Sequence, residues 1–169
     1  EVYHTLQDIL KKDGHTTGVG DEGGFAPNLK DAFEVFDYLT AAVEKAGYAC
    51  GKDIVFAMDA ASSELYQPDS GTYYFPGETE IMRQKQQLRN LEADPVISNC
   101  KTSDCQPLSV QRSSGEMIAY FEKLCSRYPL RSIEDGLDEE DWKGWQEFTE
   151  KAGKNVMLVG DDLFVTNKK

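Results

Sequence analysis

Three short runs each end in a carboxylate: DIVFAMD closes on Asp59, LRSIE on Glu134 and VMLVGD on Asp161. Their continuous apolar character between polar ends predicts strands buried on both faces. In a parallel α/β barrel the carboxyl ends of the strands form one face, and active sites lie there, so the three acids would converge. Carboxylates held together repel and raise one another's pKa unless a cation neutralises them. Oxygen-only ligands select a hard divalent ion such as magnesium, which keeps coordination positions open for water or for an anionic substrate. Taken singly, an acid after a strand is more often a helix N-cap. Three in successive units favour the metal.

A second candidate is the loop GVGDEGGFAPN, where glycines flank Asp21 and Glu22. Glycine there opens backbone conformations closed to other residues, so an acid can be presented on a tightly shaped loop. By spacing alone this is more often just a turn. No GxxxxGK[ST] pattern occurs, which argues against a P-loop nucleotide cradle.

The elements that would position these residues follow from periodicity. Val2, Leu6, Ile9 and Leu10 recur at helical spacing before Gly14, as if the chain enters part way along an amphipathic helix. A second helix is expected over Asp31 to Ala46, with Phe36, Leu39, Val43 and Ala46 on one stripe and Gly47 at its end. Leu65 to Phe75 reads as a small hairpin. Two further helices are expected. Glu116 to Arg127 carries Ile118, Phe121 and Cys125 on one face. EEDWKGWQEFTEKAG sets Trp142, Trp145, Phe148 and Ala152 on a core face, and Asp138, Glu139 and Glu140 favour its start. Strands alternating with helices predict right-handed parallel βαβ units. Gly77 to Gly115 is polar without sustained period and reads as an irregular insertion or disordered loop.

The chain of 169 residues carries a formal net charge of −12, so phosphates and anionic lipid heads are repelled unless a bound cation inverts the local field. Nucleic acid is thereby disfavoured as a partner. No stretch approaches the roughly 20 apolar residues that span a bilayer, and the amino end lacks a secretory pattern, so cytoplasm is the expected compartment. Cys50, Cys100, Cys105 and Cys125 read as reduced thiols. With only His4 and His15 as further soft ligands, both distant in sequence, a zinc site is disfavoured.

Taken together, EVYHTLQDILK, GVGDEGGFAPNL, AMDAASSELY, YYFPGETE, EMIAYFEKLCSRYPLRSIEDGLDEEDWKGW and VGDDLFVTN resemble the enolase family, in the same order and over most of the chain outside the insertion. The wording is most similar to bacterial enolases. The resemblance implies an α/β fold, an incomplete (β/α)8-type barrel of the enolase C-terminal domain with about three βα units over residues 1 to 169. It implies interconversion of 2-phosphoglycerate and phosphoenolpyruvate with magnesium. Asp59, Glu134 and Asp161 match the ligands of the higher-affinity magnesium, Glu134 and Asp161 also lie beside the substrate carboxylate, and Glu22 matches the proton donor to the departing hydroxide. Asp21 and Asp162 are expected just behind these groups.

The family's proton-abstracting lysine lies on a strand beyond VTN, and neither Lys168 nor Lys169 matches it. The expectation is therefore a fragment without turnover of its own, with two open sheet edges. A homo-oligomer is expected for the full-length protein. The competing expectation is a non-catalytic, surface-displayed piece that binds plasminogen through its terminal lysines.

Overall fold

The computed structural model describes residues 1–92 and 109–165. Helix α1 (Val2–Lys12) opens the chain and packs on α2 (Ala32–Lys45), both with the amphipathic spacing that the sequence shows. The Asp31 carboxylate accepts from Glu34 N at 2.9 Å and caps α2. Gly47, at φ +91, lets the chain leave that helix through a left-handed residue.

Strand β1 (Phe56–Asp59) follows, then a 3-10 turn (Ser62–Leu65) and the expected hairpin, β2 (Tyr66–Gln67) with β3 (Thr72–Tyr74). The insertion expected from Gly77 onward is corrected at both ends. Its first part is a helix, α3 (Pro76–Glu92), and near its far end β4 (Gln111–Arg112) pairs antiparallel with β3. Proline suits a first helical position, and Met, Arg, Gln, Lys and Leu are strong helix formers. The helix lacks an apolar stripe because it has almost nothing to bury: every side chain from Met82 to Arg89 is exposed. Its first turn is anchored, where the Thr79 hydroxyl accepts from Val110 N at 2.8 Å and Glu78 pairs with Arg112 at 2.7 Å. Cys100, Cys105 and the rest of that segment lie outside the described residues.

Helix α4 (Ser114–Arg127) starts on a capping box between Ser113 and Glu116. Strand β5 (Leu130–Glu134), helix α5 (Trp142–Ala152), strand β6 (Met157–Val159) and the single turn α6 (Asp161–Phe164) complete the described chain. The α5 cap is Asp141, one residue beyond the three acids expected to start it. Trp145 and Phe148 join the core as expected, whereas Trp142 is 59% exposed, on the rim of a groove shared with Leu158 and Phe164.

Strands β1, β5 and β6 form one parallel sheet in the order β1-β5-β6, an open arc of a barrel and not a closed one. Its core side is built from Phe36, Phe56, Met117, Ile118, Phe121, Leu124, Leu130, Ile133, Phe148 and Val156, contributed by the strands and by α2, α4 and α5. The strands are not buried on both faces. Ala57, Arg131 and Met157 are exposed, since the opposite face meets no strands from across a closed barrel. No helix among the described residues is long and apolar enough to cross a membrane.

Candidate functional site

The register of the sheet brings two of the three expected acids side by side. Asp59 pairs with Glu134, so both project to the same face at neighbouring-strand spacing, about 4.8 Å. Glu134 in turn pairs with Val159, and Asp161 follows two residues later in the first turn of α6. The carboxyl ends of all three strands are knitted by backbone bonds: Ala60 N donates to Glu134 O at 2.9 Å, Ser62 N to Asp135 O at 2.9 Å, and Asp135 N to Val159 O at 3.0 Å. Ala61, at φ 41, holds a left-handed conformation that costs free energy, and its amide donates to Asp59 Oδ1 at 3.1 Å.

The charges at this face are of one sign. Partial burial, then Asp59, Asp135, Asp161 and Asp162, hold the Glu134 carboxyl above its ordinary pKa. Asp135 first, then partial burial, Asp161, Asp59 and Glu64, do the same to Asp162. None of the ion pairs among the described residues brings a cation to them. The donors are all oxygens, the charge is unbalanced, and the buried Asp135 Oδ1 has no hydrogen-bond partner. In chemistry this set fits a hard divalent cation. In geometry the acids share a field without closing a coordination shell: among the described residues no three His, Cys, Asp or Glu side chains gather closely enough to hold an ion.

The glycine-rich loop folds as a tight turn, with Val19 bridging Phe25, Gly23 N donating to Gly20 O at 2.9 Å and Gly20 N to Gly24 O at 2.9 Å. Gly23 sits at φ +80, where a side chain is strained. Phe25 stacks on Tyr3 at 4.3 Å, and the Tyr3 hydroxyl donates to Gly23 O at 3.3 Å, which ties the loop to α1. Asp21 and Glu22 are exposed at its tip. The largest charge effects on Glu134 and Asp162 come from acids at or just after the strand ends, and the loop acids are not among them.

Sequence reasoning does not single out Asp135, which is 4% exposed beside Glu134. Its signal is local: an acid before Gly136 at a strand end, where Asp tolerates the left-handed φ of 43 that the turn requires. Gly136 itself cannot be replaced cheaply, since a Cβ there would stand 2.7 Å from Phe148 Cε1. The family model for enolase, C-terminal TIM barrel domain, matches residues 1–98 and 92–169, and the chain belongs to the enolase family.

Proposed function

We propose that this chain carries part of the machinery of phosphopyruvate hydratase, the reversible dehydration of 2-phosphoglycerate to phosphoenolpyruvate. The observation that carries the reading is the in-register pair of Asp59 and Glu134 with Asp161 beyond β6, an all-carboxylate face to which no ion pair among the described residues brings a cation. Asp59, Glu134 and Asp161 would hold magnesium. Bound there, the ion supplies positive charge against the substrate carboxylate, beside which Glu134 and Asp161 would lie. Glu22, on its glycine-shaped loop, is placed in this reading as the donor of the proton that leaves with the hydroxide. Glu22 is exposed on a loop that the Tyr3 hydroxyl ties to α1, so in this reading it would come over the substrate to act.

Metal binding is the part of this reading that the three carboxylates of this chain would carry themselves. Calorimetric titration of magnesium into the 169-residue chain, beside the triple change Asp59→Asn, Glu134→Gln, Asp161→Asn, tests it. Saturable binding lost in the triple variant supports the reading. Equal binding by both proteins, or none by either, removes these three residues as a metal centre of this chain.

A further inference from the structure

The turn that carries Asp161 has no cap of its own. Helix α6 begins after Gly160, which has no side chain to satisfy the first amide groups of the helix. One of these groups, Asp162 N, instead donates to Asp135 Oδ2 at 3.2 Å, a carboxylate 27 residues earlier at the end of the neighbouring strand. The same residue reaches in two other directions through its backbone: Asp135 N donates to Val159 O on β6, and Asp135 O accepts from Ser62 N, just after β1. The next residue adds a fourth tie, since Gly136 O accepts from the buried Ser62 hydroxyl at 2.9 Å. Asp135 is thus the one residue described whose backbone and side chain together join the post-strand turns of β1, β5 and β6.

Its other carboxylate oxygen points to a ligand. Asp135 is 4% exposed, and Oδ1 is buried with no hydrogen-bond partner among the described residues. A buried acceptor left unpaired loses its hydration without compensation, so such oxygens generally meet a water or an ion's hydration shell. A hard divalent ion keeps several waters, and carboxylates just outside the ligand set accept from them.

We propose that Asp135 is a positioning residue for the metal centre: it caps α6 from the adjacent strand and fixes Asp161 relative to Glu134 and Asp59, with Oδ1 left to accept from a metal-bound water. The proposal rests on the reading of Asp59, Glu134 and Asp161 as ligands, but its first arm is independent of it.

Two variants of the full chain separate carboxylate from backbone. Asp135→Asn keeps an acceptor oxygen and tolerates the left-handed φ; Asp135→Gly keeps the φ and removes the acceptor. Both are checked for cooperative unfolding in urea. The first readout is hydrogen exchange at the Asp162 amide without metal. Protection should persist in the wild type and in Asp135→Asn and be lost in Asp135→Gly. The second is magnesium affinity by calorimetry, expected to fall about 10- to 100-fold in Asp135→Gly and to be largely retained in Asp135→Asn. Equal amide protection in all three proteins overturns the proposal, as does a glycine variant of undiminished affinity. An asparagine variant as impaired as the glycine variant also overturns it, because charge and not positioning would then be at work. If the wild type binds no magnesium while the amide pattern holds, the ligand reading fails and the cap from Asp135 stands.

Discussion

The field around Glu134 and Asp162 makes a statement about pH as well as about metal. Both carboxyls sit above their ordinary pKa in the folded, metal-free chain, Glu134 chiefly through partial burial and Asp162 chiefly through Asp135. Such a group binds its proton more tightly folded than unfolded. Below the ordinary carboxylate range both states are protonated and the group contributes nothing. As pH rises from the ordinary value through the raised one, the unfolded chain ionises first and stability falls, reaching its full penalty above the folded pKa. Removing the charges with Glu134→Gln and Asp162→Asn should therefore raise the thermal midpoint relative to wild type at pH 7 without metal. The difference should shrink toward zero as pH is lowered below about 4, near the ordinary carboxylate pKa. A difference that does not change with pH contradicts the single-sign field. Magnesium should close the gap at pH 7 by stabilising only the wild type, as a ligand that binds the folded state alone must.

At the scale of elements, one carboxylate holds three pieces together. Asp141 caps α5 by accepting from Gly144 N at 2.9 Å, accepts from the Ser114 hydroxyl at the start of α4, and accepts from the Tyr73 hydroxyl of β3 at 3.2 Å. Tyr73 is fully buried, and its oxygen also accepts from Asp138 N at 2.9 Å. Losing a cap alone costs about 1 kcal/mol. Stranding a buried hydroxyl as well adds about 1–3 kcal/mol. Asp141→Ala should thus cost about 2–4 kcal/mol in urea unfolding, against about 1 kcal/mol for Ser113→Ala at the α4 capping box. Equal losses would show that Asp141 is only a cap. This junction was not legible in the sequence, because Tyr73, Ser114 and Asp141 are far apart along the chain and carry no periodic signal. What was legible has a period. The stripes of α2 and α4, the runs that became β1, β5 and β6, and the acids at two strand ends can all be read from spacing. Helix α3 escapes such a reading because polar helix formers without a buried face leave propensity as the sole cue, and Trp142 departs from its expected place because spacing says which residues share a face but not where the neighbouring layer stops. The orientation of Asp135 depends on a left-handed turn and a bond across strands, neither of which a linear reading can place.

For the whole molecule, the open arc of three strands leaves β1 and β6 as edges. Unpaired strand edges are templates for another chain, and proteins blunt them with charge, proline or cover. The β6 edge has little such protection. Met157 and Val165 are each 66% exposed and Phe164 53%, and a groove of about 430 Å³ beside them is lined by Trp142, Trp145, Leu158, Leu163 and Phe164. What opposes self-association is the net charge of −12, a long-range repulsion between copies. Salt weakens that term selectively: the screening length falls from about 30 Å at 0.01 M to about 8 Å at 0.15 M, whereas burial of apolar surface is not weakened. Metal-free chain should therefore sediment as a monomer at low ionic strength and form larger species at 0.15 M and above. Met157→Lys, which places a charge on the exposed edge without touching the core, should remain monomeric at both. Should the wild type stay monomeric throughout, the β6 edge is protected by something other than charge. Should the lysine variant associate as strongly as the wild type, the contact lies elsewhere, and the β1 edge, where Val55 is 45% exposed, becomes the surface to charge next.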